Sequence, residues 1–236
     1  MQAFFADRIL RLYIDDNKYI LISTIFFCIA PIFLNKLFFS HIALSSHWII
    51  LASIYVYLRQ GFSIKSWLAL IILAALVHGY YVAFVSIIFL MDIAKQHLET
   101  KRTKDLMRAL GIFFSTMAVA LYSLGYFILG GNFSNRGYGT FRMNLNALFD
   151  PKAEVSLNSS MLFKDLPTPS VNSGFGDYEG YNFLGSGIIF LSFLSIYLCI
   201  KNKDKLVPYF NSANIKVIIV FSLLIFIYSI SNNISF

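Results

Sequence analysis

Two stretches of this sequence concentrate groups that bind phosphates and sugars. The first runs from Arg136 to Pro151 and contains Arg136, Arg142, Asn144, Asn146 and Asp150. The second runs from Gly176 to Gly187 and contains Asp177, Tyr178, Glu179, Tyr181 and Asn182. Guanidinium forks pair with phosphate oxygens and amides with hydroxyls, while aromatic faces cover sugar rings. Asp150, Glu154, Asp165, Asp177 and Glu179 supply carboxylates, any of which can serve as a general base. The competing reading is that the glycines and aromatics merely fold this segment, with its charges in water.

The histidines form a second candidate set. His41, His47 and His78 fall at the ends of apolar segments, with Trp48, Tyr80 and Tyr81 beside them. One reading is a belt of aromatic and imidazole rings at a lipid headgroup layer. The sharper reading is a cavity lined by His47, Trp48, His78 and Tyr81 that takes sugar or lipid-phosphate groups. A metal site is not expected, because no two histidines stand three or four residues apart. Cys28 and Cys199 lie inside apolar runs and read as spectator thiols. No phosphate-binding glycine loop, zinc-protease helix, CxxC pair or nucleophile elbow occurs. Three Asn-x-Ser sequons, at Asn132, Asn158 and Asn233, matter only in a glycosylating compartment.

The elements that must position these groups are apolar. Hydrophobic residues make up 58% of the 236 residues and charged ones 13%, about half the usual charged share. Several runs approach the ~20 apolar residues that cross a bilayer. The fold class expected is all-α, a polytopic transmembrane helix bundle of about six or seven spans, some short. Residues 1–18 read as an amphipathic interfacial helix with Phe4, Phe5, Ile9, Leu12 and Tyr13 on one face. Spans are expected at about Tyr19–Leu34, Ile42–Leu58, Ala109–Leu129, Ser186–Ile200 and Val217–Ile230. The stretch Ser66–Met91 reads as one tilted span or as two short ones turning at His78–Tyr81.

Charge decides between these. With two short helices, fourteen of the nineteen Lys and Arg fall on one side, including Lys95, Lys101, Arg102, Lys104 and Arg108. With one span the split is ten against nine. Basic residues collect on the cytoplasmic side, which favours two helices. Residues 95–108 are then cytoplasmic and residues 131–185 form one long extracytoplasmic loop in an inner membrane. The chain divides into membrane helices over 1–130, that loop, and membrane helices over 186–236. The net charge of +7 then reflects loop placement and not a nucleic-acid partner. No Asp, Glu, Lys or Arg is expected deep in a span, which argues against an ion-coupled pump.

Four pieces stand together in one order: His41–Ile50, Val77–Tyr81, Asn144–Pro151 and Tyr178–Gly185. In that order they resemble a family of bacterial polytopic membrane proteins similar to the GT-C class of glycosyltransferases. The resemblance runs from about Phe4 to Phe236. It implies a sugar donor carried on a polyprenyl phosphate and a site at the outer face, with His47, Trp48, His78, Asn144, Asp150, Glu179 and Asn182 at recurring positions. It also implies an acidic catalytic loop and a divalent metal in the longer family architecture. This chain would begin after that loop and form a central part, so no catalytic residue and no cofactor are assigned to it. At the His78 turn the related proteins commonly carry proline where this chain has Gly79.

The leading expectation is a GT-C-like membrane domain that binds a polyprenyl-phosphate sugar or glycan through His47, Trp48, His78, Tyr81, Arg136, Arg142, Asn144, Asp150, Glu179 and Asn182. The alternatives are a non-enzymatic subunit whose loop docks a membrane protein partner, and a flippase for a lipid-linked substrate. The lipid bilayer is the expected surrounding in each.

Overall fold

The architecture was obtained as a computed structural model, which describes residues 1–38, 42–128, 148–149, 183–203 and 212–230. Every regular element among these is helical. The chain divides into two units, one of residues 1–29 with 36–131 and one of residues 30–35 with 132–236.

The first unit starts with a helical hairpin. Helix α1 (Gln2–Leu10) turns back into α2 (Asn17–Cys28). Asp16 caps α2 by accepting from the Lys18 N–H at 2.8 Å, which satisfies one of the donors a helix start leaves open. Arg11 closes the turn, donating to Asp7 at 2.8 Å and to Asn17 at 2.9 Å. At the far end, Gln2 Nε2 donates to the Phe27 carbonyl. The single interfacial helix expected over residues 1–18 is therefore not what forms. Helix α1 stops at Leu10, lies against α2 and α4, and buries Ala6 completely. The small Ala6 side chain lets the helices approach closely.

The first expected span, Tyr19–Leu34, is also divided. Helix α2 ends at Cys28 and α3 (Pro31–Phe38) begins at Pro31. Proline lacks an N–H for the ladder and pushes the residue before it out of helical geometry, but it suits the first position of a new helix.

A 3-10 turn, Ile42–Ser45, leads into α4 (Trp48–Leu58). Helices α5 (Ile64–Val77) and α6 (Gly79–Thr100) are separated by His78 alone. The break expected at His78–Tyr81 is thus present, with His78 extended at φ −169° and ψ 141°. Helix α7 (Thr103–Ser123) follows after two residues. Helix α6 packs on α4 and α5, and α7 packs mainly on α5. The centre is aromatic: Phe89 stacks on Phe113 at 3.9 Å between centroids, and Trp67 meets Phe89 edge-on at 5.6 Å. All three rings are fully buried, so each contributes a large apolar area to the core.

In the second unit, α8 (Ser186–Lys201) is entered through Gly185 at φ +86°, a conformation other residues rarely adopt. Pro31 also lies 3.3 Å from where a Cβ at Gly185 would sit, so a side chain there would press on the proline ring as well. The Leu184 N–H donates to the Leu148 carbonyl, and Phe183 and Ile189 are buried together. Helix α9 (Ala213–Ile230) is the last described element.

Candidate functional site

The sequence-derived site residues that the structure describes are His47, Trp48, His78 and Tyr81, and all four lie at one end of the first unit. His78 organises this end. Its backbone N–H closes α5 on the Ala74 carbonyl, and its Nδ1 accepts from the Tyr80 N–H at 3.3 Å. One residue thereby ends one helix and caps the next. In a neutral ring an accepting Nδ1 places the proton on Nε2, which leaves Nε2–H as a donor. The imidazole lies against the Tyr80 ring at 4.8 Å between centroids.

Tyr81 fastens this turn to the start of α4. Its hydroxyl donates to the Leu44 carbonyl at 2.7 Å, and the side chain is buried. Leu44 lies three residues before His47, and Tyr81 three residues after His78. The contact therefore brings the two imidazole-bearing segments to one place. Trp48 is half-buried and stacks on Phe5 of α1 at 6.2 Å. Tyr126, just past α7, donates to the Ala75 carbonyl at 3.1 Å. Two phenols thus satisfy carbonyls at this end, each linking a different helix pair. Arg136, Arg142, Asn144, Asp150, Glu179 and Asn182 lie outside the described residues, as do His41 and most of the expected loop over 131–185.

The opposite end of the same helices holds a cluster that the sequence reading missed. Asp92 and Lys95 lie inside α6 and are both buried. Lys95 Nζ is 3.1 Å from Asp92 Oδ1. It also donates to the Tyr57 carbonyl and lies 4.4 Å from the centre of the Tyr57 ring. Trp67 Nε1 donates to Asp92 Oδ2 at 2.9 Å. Both charges lie just past Met91, where the expected apolar stretch ended, yet inside the helix, and Lys95 does not belong with the exposed basic residues that follow it. The apolar run ends at Met91, but the helix does not. Tyr81, Val85, Ile88, Asp92 and Lys95 continue one buried stripe at helical spacing. The i, i+3 pairing of Asp92 with Lys95 was the available signal.

This cluster works as an internal clasp. The last four carbonyls of a helix lack partners within it, and a cation there is favourable. Lys95 supplies that cation to the end of α4 from α6, while Asp92 offsets its charge and holds α5 through Trp67. Nearby, Arg59 donates to Ser66 at 2.6 Å, and the Ser63 and Ser66 hydroxyls are 3.1 Å apart. No group of three or more His, Cys, Asp or Glu able to hold a metal occurs among the described residues.

The sequence matches one family, described as Domain of unknown function (DUF6311), over residues 1–236. The chain belongs to that family. No curated protein and no solved structure matches it. Membership sets no activity for the DUF6311 domain.

Proposed function

We propose that this DUF6311 chain is a multi-span membrane domain, similar in kind to GT-C glycosyltransferases, whose His47, Trp48, His78 and Tyr81 end binds a polyprenyl-phosphate-linked sugar. The contact that carries this reading is the Tyr81–Leu44 hydrogen bond, which draws the His78 turn to the segment bearing His47 and Trp48. An imidazole N–H suits a phosphate oxygen, and an indole face suits a sugar ring or an isoprene unit.

Two features support the membrane setting. Helices α6 and α7 have 22 and 21 residues and are long and apolar enough to cross a bilayer. A core helix of a soluble protein would be mostly covered, yet only 17% of the apolar window of α7 is buried. Helix α8 exposes Phe190, Leu191, Phe193, Leu194, Tyr197 and Ile200, which form one broad apolar face. Water would penalise such a surface, whereas lipid matches it.

Binding is tested by tryptophan fluorescence of the full chain in lipid nanodiscs, titrated with a polyprenyl phosphate, the same lipid bearing a hexose, and the free polyprenol. The expected result is a saturable response to both phosphates and none to polyprenol. Trp48→Phe should abolish the signal, and His78→Ala should weaken binding by about tenfold, as for loss of one good hydrogen bond. Equal binding of polyprenol would overturn the phosphate reading.

A further inference from the structure

The α6–α7 turn carries four exposed cations within eight residues: Lys101, Arg102, Lys104 and Arg108. The two salt bridges among the described residues join Arg11 to Asp7 and Lys95 to Asp92, so none of these four is in one. The turn is tight because Lys101 adopts a left-handed conformation, φ 55°. Its N–H closes α6 on the His97 carbonyl at 3.0 Å, and the Thr103 N–H returns to the Lys101 carbonyl at 2.9 Å. Only Lys101 and Arg102 separate the helices, which crowds the charges onto a small area. Glu99 and Asp105 share the stretch and leave it net positive. Leu98 precedes it and Met107 lies within it, 57% and 61% exposed.

We propose that this turn is a docking site for the headgroups of anionic phospholipids. The proposal rests on the membrane reading above. The turn joins the two helices long enough to cross a bilayer, so it falls at the boundary between hydrocarbon and water. A guanidinium fork matches a phosphodiester oxygen pair, and Lys101 and Lys104 add point charge. Basic residues beside a membrane helix attract anionic lipid within a Debye length of the surface. Leu98 and Met107 then rest among the upper acyl carbons. A nucleic acid fits less well, because the patch is one turn wide, interrupted by two carboxylates and shared with apolar side chains.

The test places the full chain in nanodiscs of four parts phosphatidylcholine to one part phosphatidylglycerol and weighs the lipids retained by native mass spectrometry. Phosphatidylglycerol should be enriched about tenfold over the bulk ratio. The variant Lys101→Gln, Arg102→Gln, Lys104→Gln, Arg108→Gln should lower this to about twofold or less, and Lys104→Gln with Arg108→Gln alone to an intermediate value. Unchanged enrichment in both variants overturns the proposal, as does charge-dependent capture of single-stranded RNA without lipid enrichment. A chain that enters nanodiscs but retains lipid in the bulk ratio sinks this proposal alone. A chain that stays in solution without any bilayer sinks the membrane reading with it.

Discussion

Helix α4, with the 3-10 turn that leads into it, is joined to α6 at both ends, and the two joints differ in kind. At one end a neutral phenol, Tyr81, donates to the Leu44 carbonyl. At the other a buried cation, Lys95, donates to the Tyr57 carbonyl beside Asp92 and Trp67. The neutral joint has imidazoles and an indole around it, and breaking it leaves no charge stranded. The charged joint is closed on itself, since its strongest groups are consumed by one another. A ligand can compete at the first joint for a modest cost. At the second it would have to replace an ion pair, a capping bond and an indole bond together. The chemistry that faces outward and the chemistry that holds the bundle are thus separated along the same two helices.

The largest effect should come from unbalancing the charged joint. Removing one member of a buried ion pair leaves the other uncompensated, typically at about 3–5 kcal/mol. Lys95→Met and Asp92→Asn should each destabilise the chain by that order in denaturant titrations of the detergent-solubilised protein. The double variant should cost clearly less than the two singles added, because no lone charge remains. Additive losses would mean that the two side chains do not depend on each other. Trp67→Phe comes next. It keeps the ring but deletes the donor to a carboxylate, so a loss of about 1.5–3 kcal/mol is expected from the same titration.

How much of this comparison could be read from sequence depends on what each feature needs. The His78 break was legible because His78, Gly79, Tyr80 and Tyr81 interrupt an apolar run with types that suit a helix end. Pro31 is equally visible, yet hydropathy alone runs one span through it, because apolar character carries no backbone geometry. Asp92 and Lys95 were lost for the opposite reason. A hydropathy window closes at the first charge, whereas a helix continues wherever the charge finds a partner. Asp92 and Lys95 pair locally, but their other partners, Trp67 on α5 and the Tyr57 carbonyl on α4, are far away in sequence. The meeting of Tyr81 with Leu44 is also tertiary, thirty-seven residues apart, and no local pattern announces it.

At the neutral joint the expected losses are smaller. Tyr81→Phe removes one hydroxyl and should cost about 1 kcal/mol of stability, the usual net value of a neutral hydrogen bond. The Leu44 carbonyl would then be left without that donor, and the His78 turn would be held to α4 by packing alone. A fall in polyprenyl-phosphate affinity larger than the stability loss is expected, since the ligand needs both segments in register. If Tyr81→Phe lowered stability while leaving affinity unchanged, this phenol would be a strut and not part of the site.

The smallest effect is expected at Gly79, and there even the sign is informative. Gly79 is the first residue of α6, the position where proline is best tolerated, and it donates no backbone hydrogen bond among the described residues. His78 before it is already extended, as a residue preceding proline prefers to be. Gly79→Pro should therefore gain up to about 1 kcal/mol by restricting the unfolded chain. Against this, a Cβ at Gly79 would lie 3.3 Å from Cε1 of Tyr126, which must yield by a few tenths of an ångström. Tyr126 is held at its far end by the Ala75 carbonyl, so its ring is not free to swing away. Combining Gly79→Pro with Tyr126→Leu separates the two contributions. A gain that appears only in the double variant would show that Tyr126 is what keeps glycine at this turn. A gain already present in Gly79→Pro alone would show that the ring yields, and that glycine there serves freedom of the turn and not space.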